Sequence, residues 1–201
     1  QVYQTQNEWT FLINGTARAG IEACLGSLVT CGDKVLVPRF GRFGYLLTEI
    51  AQRVGGDVVT LDTEWGTVFE TDRICDAIRE HRPRVVAMVH GDTSTTMAQP
   101  LEGISAVCQE ADALLYVDTT ATLCGMPIPV DDLQLDAVST GLQKCMSGPP
   151  GTSPITINER AAAVVNNRKH IEGGIRPDDY VAGDGPAIIS NYLDLGMLMD
   201  Y

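Results

Sequence analysis

Positive charge is scarce in this chain of 201 residues: 14 Lys and Arg stand against 26 Asp and Glu, for a net charge of −12. So acidic a surface repels phosphate backbones and anionic headgroups. Broad contact with nucleic acid or membrane is excluded, and a small molecule is the expected partner. No apolar run approaches the length that crosses a bilayer, and no C-x-x-C pair occurs among the six cysteines. Neither G-x-G-x-x-G nor G-x-x-x-x-G-K-[ST] is present, which argues against a nucleotide-binding module. No zinc or other metal site is expected. Cys24, Cys31, Cys75, Cys108, Cys124 and Cys145 each lie in or beside apolar segments, as reduced, buried thiols of a cytoplasmic protein would. Internal repeats and low-complexity segments are also missing. The chain opens on Gln1 and a polar run rather than a signal peptide, and stops at Tyr201 in mid-pattern; a piece of a longer protein is expected.

Lysine is rarest of all, with Lys34, Lys144 and Lys169 only. Lys144 has no neighbouring carboxylate. It lies among Leu142, Cys145 and Met146, just ahead of a Gly-Pro-Pro-Gly turn at 148–151. A lysine without local counter-ions is a poor solubility device. In partly desolvated surroundings its amine would shed a proton and could attack a carbonyl to give a Schiff base.

The hydrophobic pattern alternates short apolar runs with helical periodicity. Strands are expected at 34–38, 57–61, 84–90 and 113–117, with shorter ones at 11–14, 136–139 and 154–157. Helices are expected from Thr16 to about Cys31, from Leu46 to Val54, from Thr71 or Asp72 as cap to His81, from about Pro100 to Ala111, and from an Asn158 cap to about His170. Residues 39–44, with Phe40 and Phe43, read as a loop, and so do 171–185. Near-continuous apolar strands separated by helices imply a mainly parallel α/β sheet sandwiched by helices in three layers. Ligands of such sheets bind beyond the carboxyl ends of the strands.

Four features fall at such ends: Thr16-Ala17-Arg18 at a helix start, Thr93 after one strand, Asp118 at the tip of another, and Lys144 after a third. Each alone has a bland reading as a cap, a turn or a core residue. Together they meet the needs of pyridoxal 5'-phosphate. That cofactor wants an amine for its aldehyde, hydroxyls and free amides for its phosphate, and a carboxylate to keep its pyridine nitrogen protonated. Phe43 could supply a flat partner for the ring. Lys144 could also move the proton at the substrate α-carbon.

These residues resemble a known family. Gly15-Thr16-Ala17-Arg18, Gly41-Arg42-Phe43-Gly44, His90-Gly91-Asp92-Thr93-Ser94-Thr95, Val117-Asp118-Thr119 and Gln143-Lys144 are similar to the motifs of class V, fold-type I aminotransferases of the alanine–glyoxylate type. Stretches 6–10, 42–50, 64–69, 87–91 and 190–195 resemble the ureidoglycine–glyoxylate branch of purine breakdown. By that resemblance residues 1–201 form the large, cofactor-binding domain of a longer enzyme, with an amino-terminal segment and a small carboxyl-terminal domain outside it. Lys144 would bind the cofactor's aldehyde, Asp118 would face the pyridine nitrogen, Phe43 would stack on the ring, and Thr93 would bond its phenolic oxygen or a neighbouring group. Thr16, Ala17, Arg18 and Gln143 would lie about the phosphate. Phe43 stands where many relatives carry Trp, and Arg18 where many carry His. The implied reaction moves an amino group from a small-molecule donor, (S)-ureidoglycine, to glyoxylate, giving oxalurate and glycine, in a homodimer or dimer of dimers. An alanine– or serine–glyoxylate aminotransferase is the alternative within the class. A cysteine desulfurase-like lyase would instead stack a histidine where Phe43 stands.

Overall fold

A strand that is apolar on both faces is stable only between two layers, and this chain supplies several. The computed structural model describes residues 2–200. β1 (Trp9–Asn14) leads into α1 (Ala17–Leu28), and β2 (Lys34–Arg39) into α2 (Arg42–Arg53). β3 (Asp57–Asp62), α3 (Thr71–His81) and β4 (Val85–Val89) follow, then a small hairpin of β5 (Gly91–Asp92) and β6 (Met97–Ala98). α4 (Ile104–Glu110), β7 (Leu114–Asp118), β8 (Ala137–Ser139), β9 (Thr152–Ile157), α5 (Glu159–Asn167) and α6 (Leu195–Leu198) complete the elements. β4 and β7 are buried at every position.

The main sheet has the order β1-β9-β8-β7-β4-β2-β3. β3, β2, β4, β7 and β8 pair in parallel, with Val85 against Leu114 and Val89 against Asp118 in the β4–β7 register. β9 alone runs antiparallel to its neighbours, β8 and β1. The cause is local. A parallel return needs a crossover helix, whereas residues 140–151 hold only turns. α1 and α2 pack on one face of the sheet, where α5 and α6 also meet α1, and α3 and α4 pair on the other. This is the three-layer arrangement expected from the sequence.

Several boundaries differ from expectation. Residues 39–44 are not all loop, because α2 begins at Arg42 and carries Phe43 in its first turn. Thr71 is the first helical residue of α3 rather than its cap; Glu70 precedes it and makes no side-chain capping bond. The helix expected from Pro100 starts only at Ile104, since Gly103 takes a left-handed φ of 82° that no helix continues. α5 ends at Asn167, short of His170, but Asn158 does cap it, its side-chain oxygen accepting from the Ala161 amide at 3.0 Å. Of the cysteines, Cys24, Cys75 and Cys108 are buried, whereas Cys31, Cys124 and Cys145 are exposed. Those three sit in turns between elements, where an apolar neighbourhood in sequence does not become one in space.

The carboxyl-terminal segment is tied to the sheet layer by one buried cation. Arg168, 4% exposed, donates through Nη1 to the carbonyls of Gly26, Ser27 and Val29 at 3.1, 2.9 and 2.8 Å, and through Nε to that of Pro186 at 3.1 Å. The last carbonyls of α1 lack helical partners, and a cation suits that end of the dipole. Replacing Arg168 with Met should strand these acceptors and lower stability by about 2–4 kcal/mol, measured by urea unfolding. A loss below about 0.5 kcal/mol would show that water satisfies them instead.

Candidate active site

Parallel strands end together, so the residues that follow them meet whatever their distance in sequence. At this end of the sheet a cavity of about 270 Å³ is lined by Thr16, Ala17, Arg18, Phe43, Thr93, Asp118, Gln143 and Lys144, all eight residues singled out above. Ile21, Leu46, Gly91, Thr120 and Ala121 complete its wall. Sequence periodicity marks Ile21 and Leu46 as core, and nothing in the pattern separates a core residue from one that borders a cavity.

Asp118 ends β7 and is 3% exposed. The hydrogen bond from the His90 amide to its carbonyl, 2.9 Å, ties it to the neighbouring strand end. Its Oδ1 accepts from the Thr120 amide at 2.9 Å and the Thr120 hydroxyl at 2.5 Å. Oδ2 has no hydrogen-bonding partner among the described residues. Burial raises the carboxyl above its usual range; the two bonds from Thr120 act against that, and the nearby Asp92 carboxylate acts with it. A buried carboxylate with one oxygen bonded and no basic side chain in an ion pair with it is short of a cation. Thr120 was not evident from sequence, although an Asp-x-Thr at a strand end is the signal that would find it.

Thr16 occupies the N-cap position of α1, but its side chain makes no capping bond. The hydroxyl is free, and so are the Ala17 and Arg18 amides, whereas the Ala19 amide donates to the Thr16 carbonyl at 2.8 Å. Arg18 projects from the same turn and is exposed. Gln143 comes close to this helix start because residue 141 is glycine. A Cβ at Gly141 would lie 2.7 Å from the Ala17 Cβ and 2.6 Å from the Gln143 Oε1.

Lys144 stands in the turn 142–146, closed by the Ser147 amide on its carbonyl at 2.9 Å. Its Nζ joins no ion pair among the described residues, whereas Lys169 pairs with Asp200. The partly desolvated setting expected for Lys144 is not found: the residue is exposed, with Gln143 and Cys145 beside it exposed as well. A turn beyond a strand end has neighbours on one side only. The amine borders the cavity without being enclosed by this chain.

His90, 8% exposed, pairs through Nδ1 with the Thr122 hydroxyl at 2.8 Å, and burial lowers its pKa. It holds the loop 119–122 against the start of β5 from outside the cavity. Among the described residues no group of His, Cys, Asp and Glu is placed to hold a metal ion, and no helix is long and apolar enough to cross a membrane.

A mostly parallel sheet whose strand ends gather a lysine, a buried carboxylate and a helix start is the framework of fold-type I aminotransferases, and the chain belongs to the class-V aminotransferase family, whose model matches residues 1–176. It is 48% identical to the (S)-ureidoglycine–glyoxylate transaminase of Bacillus subtilis over 203 aligned residues, covering 100% of this chain and 49% of that protein. The crystal structure of the B. subtilis enzyme superposes with a TM-score of 0.89, over 100% of this chain and 48% of that one. Rat alanine–glyoxylate aminotransferase is 34% identical over 84% of the chain and 41% of its own length. An alanine–glyoxylate aminotransferase from Nostoc sp. is 36% identical with a TM-score of 0.88, covering 49% of that chain. The chain spans about half the length of the curated relatives it matches.

Proposed function

We propose that this chain is the large, cofactor-binding domain of a cytoplasmic pyridoxal phosphate-dependent aminotransferase that moves the amino group of (S)-ureidoglycine to glyoxylate, giving oxalurate and glycine. The observation that carries the reading is the convergence of Lys144, Asp118, Phe43, Thr93 and the first turn of α1 on one cavity, from five separate strand ends. The donor set suits the cofactor. Asp118, itself a buried residue, offers the carboxylate oxygen that lacks a partner among the described residues to a protonated pyridine nitrogen, and that cation would relieve the cost of ionising the carboxyl there. Thr16, Ala17, Arg18 and Gln143 offer a hydroxyl, free amides and two polar side chains to a phosphate. The half-buried Phe43 offers a ring face.

When bound, the cofactor supplies an electron sink for the carbanion at the donor's α-carbon. Asp118 keeps the proton on the ring nitrogen that makes the sink effective. Lys144 Nζ would hold the cofactor's aldehyde, and the same amine would remove and return the proton at the donor's α-carbon. Because this chain leaves Lys144 open on one side, we take the working assembly to be a homodimer or dimer of dimers in which further protein covers the amine.

The higher identity to the ureidoglycine enzyme than to the alanine enzymes supports the donor. Steady-state assays of the full-length protein with glyoxylate and (S)-ureidoglycine, alanine or serine test it. The reading predicts the highest kcat/KM with ureidoglycine; a clear preference for alanine would replace it with the alanine–glyoxylate activity.

A further inference from the structure

α2 begins without a cap of its own. Its N-cap is Gly41, which has no side chain to offer, yet its first amides are bonded from a distant loop. The Phe43 amide donates to Asp92 Oδ2 at 2.7 Å, and the Arg42 amide donates to Ser94 Oγ at 2.9 Å. The Ser94 hydroxyl in turn donates to Asp92 Oδ1 at 2.6 Å, and the Ser94 amide donates to the same oxygen at 2.9 Å. Asp92 is 2% exposed and does not itself line the cavity. The fit is tight, since a Cβ on Gly41 would lie 2.3 Å from the Asp92 carboxyl carbon. Phe43, beside one bonded amide, and Thr93, flanked by Asp92 and Ser94, both line the cavity.

We propose that Asp92 is a positioning residue, which sets the ring of Phe43 and the hydroxyl of Thr93 in register with each other and so fixes the slot a flat heterocycle enters. The proposal rests on the cofactor reading above. All three groups that face the carboxylate are donors, so two acceptor oxygens are needed; the same place at the start of a helix favours a negative charge. Asparagine has the same shape but turns an NH₂ toward one of those donors. Glutamate is longer than the contact with Gly41 allows. Ser94 relays the same carboxylate to Arg42, and alanine there would remove one arm of the cap while leaving Phe43 bonded.

The test uses full-length protein and two readouts. In the cofactor-free protein, Asp92→Asn should raise amide hydrogen exchange at Arg42 and Phe43 about tenfold or more, and Ser94→Ala at Arg42 alone. Titration of pyridoxal phosphate should show about tenfold weaker binding and a reduced visible circular dichroism band for Asp92→Asn. Phe43→Leu and Thr93→Val should each do likewise, and adding Asp92→Asn to the Phe43→Leu/Thr93→Val variant should cost nothing further, because the carboxylate acts through those two groups. Unchanged exchange at Phe43, or a further loss when Asp92→Asn is added to that variant, would overturn the positioning role. Failure of the wild-type protein to bind the cofactor would instead overturn the functional reading while leaving the exchange result to stand. Should Asp92→Asn not fold, Ser94→Ala carries the test: raised exchange at Arg42 supports the trans cap and unchanged exchange rejects it.

Discussion

Lys144→Ala in the full-length protein should abolish the visible absorption band of bound cofactor and lower turnover by roughly 10⁴–10⁶-fold. Anchoring and proton transfer are lost together when one amine performs both. Stability should barely change. Lys144 is exposed and in no ion pair among the described residues, and substitutions at such places fall within about 0.5 kcal/mol of neutral. Thermal unfolding beside the spectrum checks both halves. A variant that keeps its band would remove Lys144 from the chemistry, and one that loses the band by unfolding would show the residue to be structural.

Asp118→Asn should likewise combine a large functional loss with no cost in stability. Asparagine can keep the bonds from the Thr120 amide and hydroxyl to Oδ1. It cannot hold a charge beside the pyridine nitrogen, and turnover should fall by about 10²–10³-fold, the scale of losing one oriented electrostatic partner. For the cofactor-free protein the sign follows from the raised pKa of the buried carboxyl. Below the unfolded value of about 3.9 the group is neutral in both states and costs nothing. As pH rises through the higher folded value the folded state must ionise it in place, and stability relative to the unfolded chain is lost. Asparagine carries no such cost, so the variant should gain on the wild type between pH 4 and pH 8. Urea unfolding at both values measures this. A variant that instead loses ground as pH rises would mean that the carboxylate is stabilised in its site.

The parts of this fold legible in the sequence are those governed by local pattern. β4 and β7 are apolar runs bounded by turn residues, α2 and α3 carry helical spacing, and Asn158 is a cap followed by its helix. The parts that were not legible depend on partners far along the chain. β9 runs against its neighbours because the twelve residues before it hold no helix, a fact about what the loop lacks. The true start of α2 was hidden because its cap lies 49 residues away, at Asp92. The three exposed cysteines were misread because apolar neighbours in a turn point elsewhere. The cavity residues were legible for a different reason: each has a chemical demand, an amine, a carboxylate or a free helix start, that stands out against a chain with so few lysines. Their convergence required the sheet. The exposure of Lys144 is not written in the spacing, which carries no information on what lies above a strand end.

The most direct test of the central claim is chemical. Full-length protein incubated with pyridoxal phosphate is reduced with borohydride, which makes an amine–aldehyde linkage permanent, and the labelled peptide is identified by mass spectrometry. The account predicts a phosphopyridoxyl group on Lys144 and none on Lys34 or Lys169, with labelling strongly reduced in Asp118→Asn. Labelling spread over all three lysines, or none at all, would contradict it.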